Sequence, residues 1–240
     1  MPTRKPSKTK VAGSVARRAV AQSIERRRAA LEEEVSALIQ ASLSVIRKTG
    51  KLDPRVSEVV AEAGLSNQVF YKHFRSKDEL LLAVLDEGSH KLKDYLEHRM
   101  AKAKTPEEKI HEWIVGMFNQ ALRKDVALST RPFALSRARL SDLFPDDVRR
   151  SEWQVIDLLR NAIEEAMLAG DMPNANPASD SELIYNMASG WLERRLADPS
   201  RNNITDIDYV TEFVLSGLRR SITSERSGPP ARRESGRKRP

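Results

Sequence analysis

The side chains best placed for chemistry in this chain lie between residues 64 and 77. The stretch reads Gly64-Leu65-Ser66-Asn67-Gln68-Val69-Phe70-Tyr71-Lys72-His73-Phe74-Arg75-Ser76-Lys77. Leu65, Val69, Phe70 and Phe74 recur at helical spacing and predict a buried face. Ser66, Asn67, Gln68, Tyr71, Lys72 and His73 are left on the outside. Asn and Gln can each pair two hydrogen bonds with an adenine edge, and Lys can reach guanine or phosphate. The stretch holds three formal cations and no acid, so its outward chemistry is that of a surface meeting a polyanion.

Little else points to chemistry. There is no cysteine, which excludes disulfide scaffolds, cysteine-ligated metals and cysteine nucleophiles. The four histidines include one pair with an acid at helical spacing, His90 and Asp94, a weak metal signal. No G-x-x-x-x-G-K-[ST], G-x-G-x-x-G or G-x-S-x-G pattern occurs. No catalytic residue, cofactor or metal is therefore expected, and an all-helical enzyme ranks as a distant third reading.

The elements that must carry this stretch are helices. Val59, Val60 and Ala63 precede it in a short helix opened by Asp53-Pro54, and Gly64 suits the turn that separates the two. Upstream, Leu31, Val35, Leu38, Ile39, Ser42, Val45 and Ile46 share one helical face that stops at Thr49-Gly50. Downstream, Ser76-Lys77-Asp78-Glu79 is a capping box for a helix to about Met100, and Thr105-Pro106-Glu107-Glu108 opens another to about Leu122. Further helices are predicted over 127–141, 146–169, from a Ser179 cap to Leu196, and over 205–222. The fold class is all-α, about nine helices, with no sheet and no internal repeat.

Charge divides the chain into three. Residues 1–30 carry +8 and residues 223–240 carry +4, which leaves residues 31–222 at −5 within the total of +7. The ends, with their Pro, Gly and Ser, read as disordered basic tails over 1–25 and 223–240. They suit a polyanion or simply keep the protein in solution. The acid-free first 24 residues also have the composition of an organellar transit peptide, though they lack a secretory apolar core. No run approaches the ~18 apolar residues of a membrane span, and no membrane partner is expected.

The pattern Gly64-Leu65-Ser66-x-x-x-Phe70-Tyr71-x-His73-Phe74-x-x-Lys77-Asp78-x-Leu80 resembles the signature of the tetracycline-repressor (TetR) family of bacterial transcription regulators. The resemblance covers about residues 31–85. It implies a three-helix helix-turn-helix DNA-binding domain over 26–80 and a helical ligand-binding and dimerisation domain over 81–222. It makes Ser66–Lys72 a major-groove face, and Tyr71 and Lys77 phosphate contacts. The family often places Thr at the start of the second helix, where this chain has Pro54-Arg55; Arg55 would still reach phosphate, and His73 completes the DNA-facing set. The transit-peptide reading recedes, and the expected location is the bacterial cytoplasm.

The family also implies a homodimer on a palindromic double-stranded DNA operator, and a small-molecule effector. Two apolar stripes in the last two helices suit the dimer interface: Leu183, Met187 and Trp191, then Val210, Phe213, Val214 and Gly217. They could equally pack on their own core. For an effector, Trp113, Met117, Phe133 and Trp153 supply bulk in the middle helices. Arg137 and Arg139 could hold the anionic group of a fatty acid or acyl-coenzyme A, or pair with acids. The function expected is a ligand-responsive, sequence-specific regulator, by family default a repressor. A ligand-independent DNA-binding or nucleoid-associated protein is the alternative.

Overall fold

The computed structural model describes residues 9–50, 53–200 and 207–219. Among these residues the protein is helical throughout, with nine helices and no strand. They are α1 (Thr9–Thr49), α2 (Val56–Ala63), α3 (Asn67–His73), α4 (Lys77–Met100), α5 (Pro106–Leu122), α6 (Lys124–Leu143), α7 (Pro145–Ala169), α8 (Pro177–Ala197) and α9 (Ile207–Arg219).

Three buried clusters hold the helices together. Leu38, Ala41, Val59, Val60, Phe70, Phe74, Leu80 and Val84 bind α1–α3 to the first turns of α4. Ile46, Leu81, Leu140 and Val148 join that unit to α6 and α7. The largest core gathers α4, α5, α7, α8 and α9 around Trp113, Leu159 and Ile163. Helix α4 enters all three clusters, so it is the strut between the two ends of the molecule.

Helix ends follow the expected cap chemistry with three shifts. The Ser76 hydroxyl accepts from Glu79 N–H at 3.1 Å, and Thr105 and Glu108 form a reciprocal capping box. Helix α2 begins later than Asp53-Pro54 predicts. Its N-cap is Arg55, whose N–H donates to the Glu58 carboxylate at 2.9 Å. Helix α8 begins earlier, because Asn176 caps it by accepting from Ser179 N–H at 3.1 Å with Pro177 next in line. Helix α1 departs most. It continues back to Thr9, so residues 9–25 are helical and not the disordered tail expected. Residues 1–8 and 223–240 lie outside the described residues.

Two glycines decide local geometry. Gly64 ends α2 at φ +67°, a left-handed conformation that a Cβ disfavours, and turns the chain into α3. Gly116 instead serves packing: a Cβ there would lie 2.3 Å from Leu96 Cδ2. Its bare backbone lets α5 close on α4.

Candidate nucleic-acid interface and interior cavity

Helix α3 is built to present a face. Ser66 caps it, its hydroxyl accepting from Val69 N–H at 3.3 Å, and Phe70 anchors it with no exposed surface. Opposite Phe70, Asn67, Gln68, Tyr71 and Lys72 are exposed, and Tyr71 retains 63% of its surface. Its ring stands edge-on to Phe70 at 5.1 Å, which holds the hydroxyl outward. The side chains of Asn67, Gln68 and Tyr71 make no hydrogen bond to the described protein, so their polar groups remain available to a partner. Arg55 is exposed at the start of α2, and Lys77 begins α4 with its Nζ 2.7 Å from Asp53.

His73 does not join that face. Only 11% of its side chain is exposed, and its Nε2 lies 2.5 Å from Glu34 on α1. The same Glu34 oxygen takes Lys72 Nζ at 2.8 Å. Hydrogen bonds from Lys72 and then His73 hold the Glu34 carboxyl below the ordinary carboxylate range. His73 thus ties the last turn of α3 to α1, and Lys72 must exchange Glu34 for any outside anion. The spacing of residues 66–74 could not reveal this, because Glu34 lies 39 residues upstream.

Between the helices sits a cavity of about 440 Å³. Its walls are Gln40, Leu43 and Arg47 from α1, Leu85, Leu92 and Tyr95 from α4, and Met117 and Gln120 from α5. Phe133 and Arg137 come from α6, Glu152 and Val155 from α7, and Tyr185, Leu192 and Glu193 from α8. Of the six residues expected around a ligand, Met117, Phe133 and Arg137 line it and three do not. Trp113 is fully buried in the core, its indole N–H donating to Val155 O at 3.0 Å. Trp153 packs beneath Arg160, whose guanidinium lies 5.8 Å from the ring centre. Arg139 binds Asp78 and so fastens α6 to the first turn of α4.

Arg137 is in the wall but its charge is already spent. Its Nε lies 2.6 Å from Glu152 and its Nη1 3.3 Å from Glu193. Burial works against the guanidinium, but the Glu152 hydrogen bond and charge outweigh it and keep Arg137 protonated above its ordinary range. Beside it, burial pushes the Tyr185 hydroxyl up to about 12, with the Glu152 charge adding to the effect. Two carboxylates against one guanidinium make this wall a poor seat for an anion. Arg47, at the edge of the cavity, has no ion pair among the described residues.

The expected interface stripes divide into two groups. Leu183 and Phe213 are 66% and 64% exposed, Gly217 is exposed, and Met187 is half-buried beside them. Val214 is buried, Val210 packs on the main core, and Trp191 stacks on Phe118 with ring centres 4.3 Å apart. Trp191 and Val214 therefore belong first to the protein's own core.

Residues 38–84, which build the α1–α4 unit, match the family model for bacterial regulatory proteins of the tetR family. The HTH-type transcriptional regulator BetI of Rhizobium meliloti (strain 1021) is 36% identical over 159 residues, 65% of this chain and 73% of that protein. BetI of Brucella canis is 33% identical over 84 residues, which spans 42% of that protein. Among solved structures, the fatty acid degradation regulator FadR from Bacillus halodurans superposes with a TM-score of 0.60. It is 17% identical, and the match covers 79% of this chain and 96% of that one. FadR from Bacillus subtilis, solved in complex with stearoyl-CoA, gives 0.58 at 18% identity, covering 76% and 96%. At such identities the structures speak for the fold, and the first BetI match speaks for descent. The chain belongs to the tetR family of bacterial regulatory proteins and is a transcription regulator with a helix-turn-helix DNA-binding domain.

Proposed function

We propose that the protein is a sequence-specific regulator that binds a palindromic operator as a homodimer and releases it when a small apolar or amphipathic effector enters the cavity. Asn67 and Gln68 read bases, while Arg55, Tyr71, Lys72 and Lys77 hold phosphates. The exposed Leu183, Phe213 and Gly217, with the half-buried Met187 beside them, supply the contact between copies.

One observation carries the effector part of the reading. Phe133 both lines the cavity and packs on the α1–α4 core that seats α3. Pro132, just before it, cannot donate a backbone hydrogen bond within α6, so the helix is easiest to bend at that turn. A ligand pressing on Phe133, Leu43 or Leu85 acts directly on the recognition unit. A differential affinity of about 3 kcal/mol between the two arrangements shifts operator occupancy roughly 150-fold.

The apolar walls and the stearoyl-CoA held by the Bacillus subtilis neighbour support an acyl chain, as a fatty acid or its coenzyme A ester. Its charged group belongs at the edge beside Arg47 and not against Arg137. The test is a gel shift on a selected operator with fatty acids and coenzyme A esters of graded chain length, repeated with Arg47→Ala. Release by some chain lengths, weakened in Arg47→Ala, supports the reading. No release by any of them overturns the effector class, and equal release in the variant overturns the place of the charge.

A further inference from the structure

Helix α1 extends well beyond the domain it supports. Leu38 is its first fully buried residue, and every residue from Ser14 to Ala30 is exposed. At 1.5 Å per residue these 17 residues project about 25 Å. They carry Arg17, Arg18, Arg26, Arg27 and Arg28 against the single acid Glu25. Among the described residues, Arg28 is the only one of these arginines with an ion pair, to Glu32 at 2.8 Å. A free helix of this length would be marginal in water, but its C-terminal half is already nucleated by the buried 38–46 segment.

Where the projection leaves the domain is fixed by Glu34. That residue binds Lys72 and His73, so the helix departs beside the last turn of α3. The other end of α1 lies against Glu62 at the end of α2, through Ser44 and Lys48. A duplex seated on the exposed face of α3 therefore has the cationic helix at its flank. The geometry points to the N-terminal half of α1 as a second DNA-binding element, a rigid arm that contacts phosphates outside the half-site read by α3.

The surface chemistry favours DNA over the other occupants of an exposed helix. Val15, Val20 and Ile24 are exposed; Val20 and Ile24 continue the face of Leu31 and Val35, but Arg17 and Arg28 interrupt it. At 100° per residue, Arg17 and Arg28 lie within about 40° of Ile24, and Val15 points to the opposite side. A coiled-coil partner or a lipid surface needs an unbroken apolar stripe, whereas a polyanion needs only charge. The consecutive Arg26, Arg27 and Arg28 concentrate positive charge that such a polyanion can neutralise.

This assignment rests on α3 facing DNA, and the experiment separates the two. The full chain and the variant Arg17→Gln/Arg18→Gln/Arg26→Gln/Arg27→Gln are titrated with a random-sequence duplex of about 40 base pairs across a range of salt. Four lost phosphate contacts should reduce the salt slope by about 3–4 per protomer, because each contributes about 0.9. An unchanged slope overturns the arm. So does a changed oligomeric state by sedimentation, which would make the helix a contact between copies. As a second readout, the duplex should shield the Arg17–Arg28 bonds of the unmutated protein from trypsin, and equal cleavage with and without DNA overturns it. The variant Asn67→Ala/Gln68→Ala should keep the full slope. If that variant also kept its preference for a selected site, the α3 reading would fail while the arm's result stood.

Discussion

Tyr185 and Arg137 set the polar character of the cavity, and both can be tested one residue at a time. The Tyr185 hydroxyl is buried and stays protonated to about pH 12, against an ordinary value of 10.0. A phenol whose folded value is raised contributes stability that is complete below pH 10 and lost as pH climbs through 12. Tyrosinate absorbance should therefore show one late step near pH 12 that is missing in Tyr185→Phe. Chemical denaturation should show on the order of 2–3 kcal/mol disappearing between pH 10 and 12 in the unmutated protein only. A Tyr185 that titrates near 10 would mean the hydroxyl is open to water. Arg137 is less legible from its sequence neighbours. Its type and position suggested an anion anchor, but Glu152 and Glu193 lie 15 and 56 residues away, and no local pattern reveals that they converge on it. His73 was misplaced on the outward face for the same reason, since Glu34 draws it inward from another helix.

At the scale of elements, the caps and periodicity placed the helices well because those signals are local. Thr105, Ser76 and Gly64 act where they stand, whereas Asn176 capped α8 ahead of the expected Ser179. The N-terminal part of helix α1 is not legible in the sequence, because residues 14–30 are all exposed and arginines interrupt their apolar face. Close packing between elements shows at Gly116. The variant Gly116→Ala should cost about 1–3 kcal/mol in denaturant unfolding, because Leu96 is fully buried and has little room to yield. A neutral substitution would mean that α4 and α5 can separate freely. The α8–α9 face gives a contrast within one helix. Phe213→Asp should produce monomers by sedimentation that keep their helical circular dichroism, since within one chain the side chain is mainly exposed. Val214→Asp should unfold the protein instead, because Val214 is 6% exposed and packs in the main core. A dimer that survives Phe213→Asp would place the interface on another surface.

For the whole molecule, the architecture is a reading unit and a cavity sharing one strut and one wall. Helix α4 enters every core, and Phe133 belongs to both halves, so a change in the cavity has a short mechanical route to α3. In the proposed complex, two copies present two α3 helices to one duplex. Two-fold symmetry then sets the helices about 34–36 Å apart, or a small multiple of that, and the bound site must share the symmetry. The most direct measurement is selection of bound sequences by the purified full-length protein from a random duplex pool. An enriched inverted repeat is expected, its half-sites about one helical turn, or a small multiple, apart. Recovery of no enriched sequence, or of a single half-site without its repeat, would contradict it.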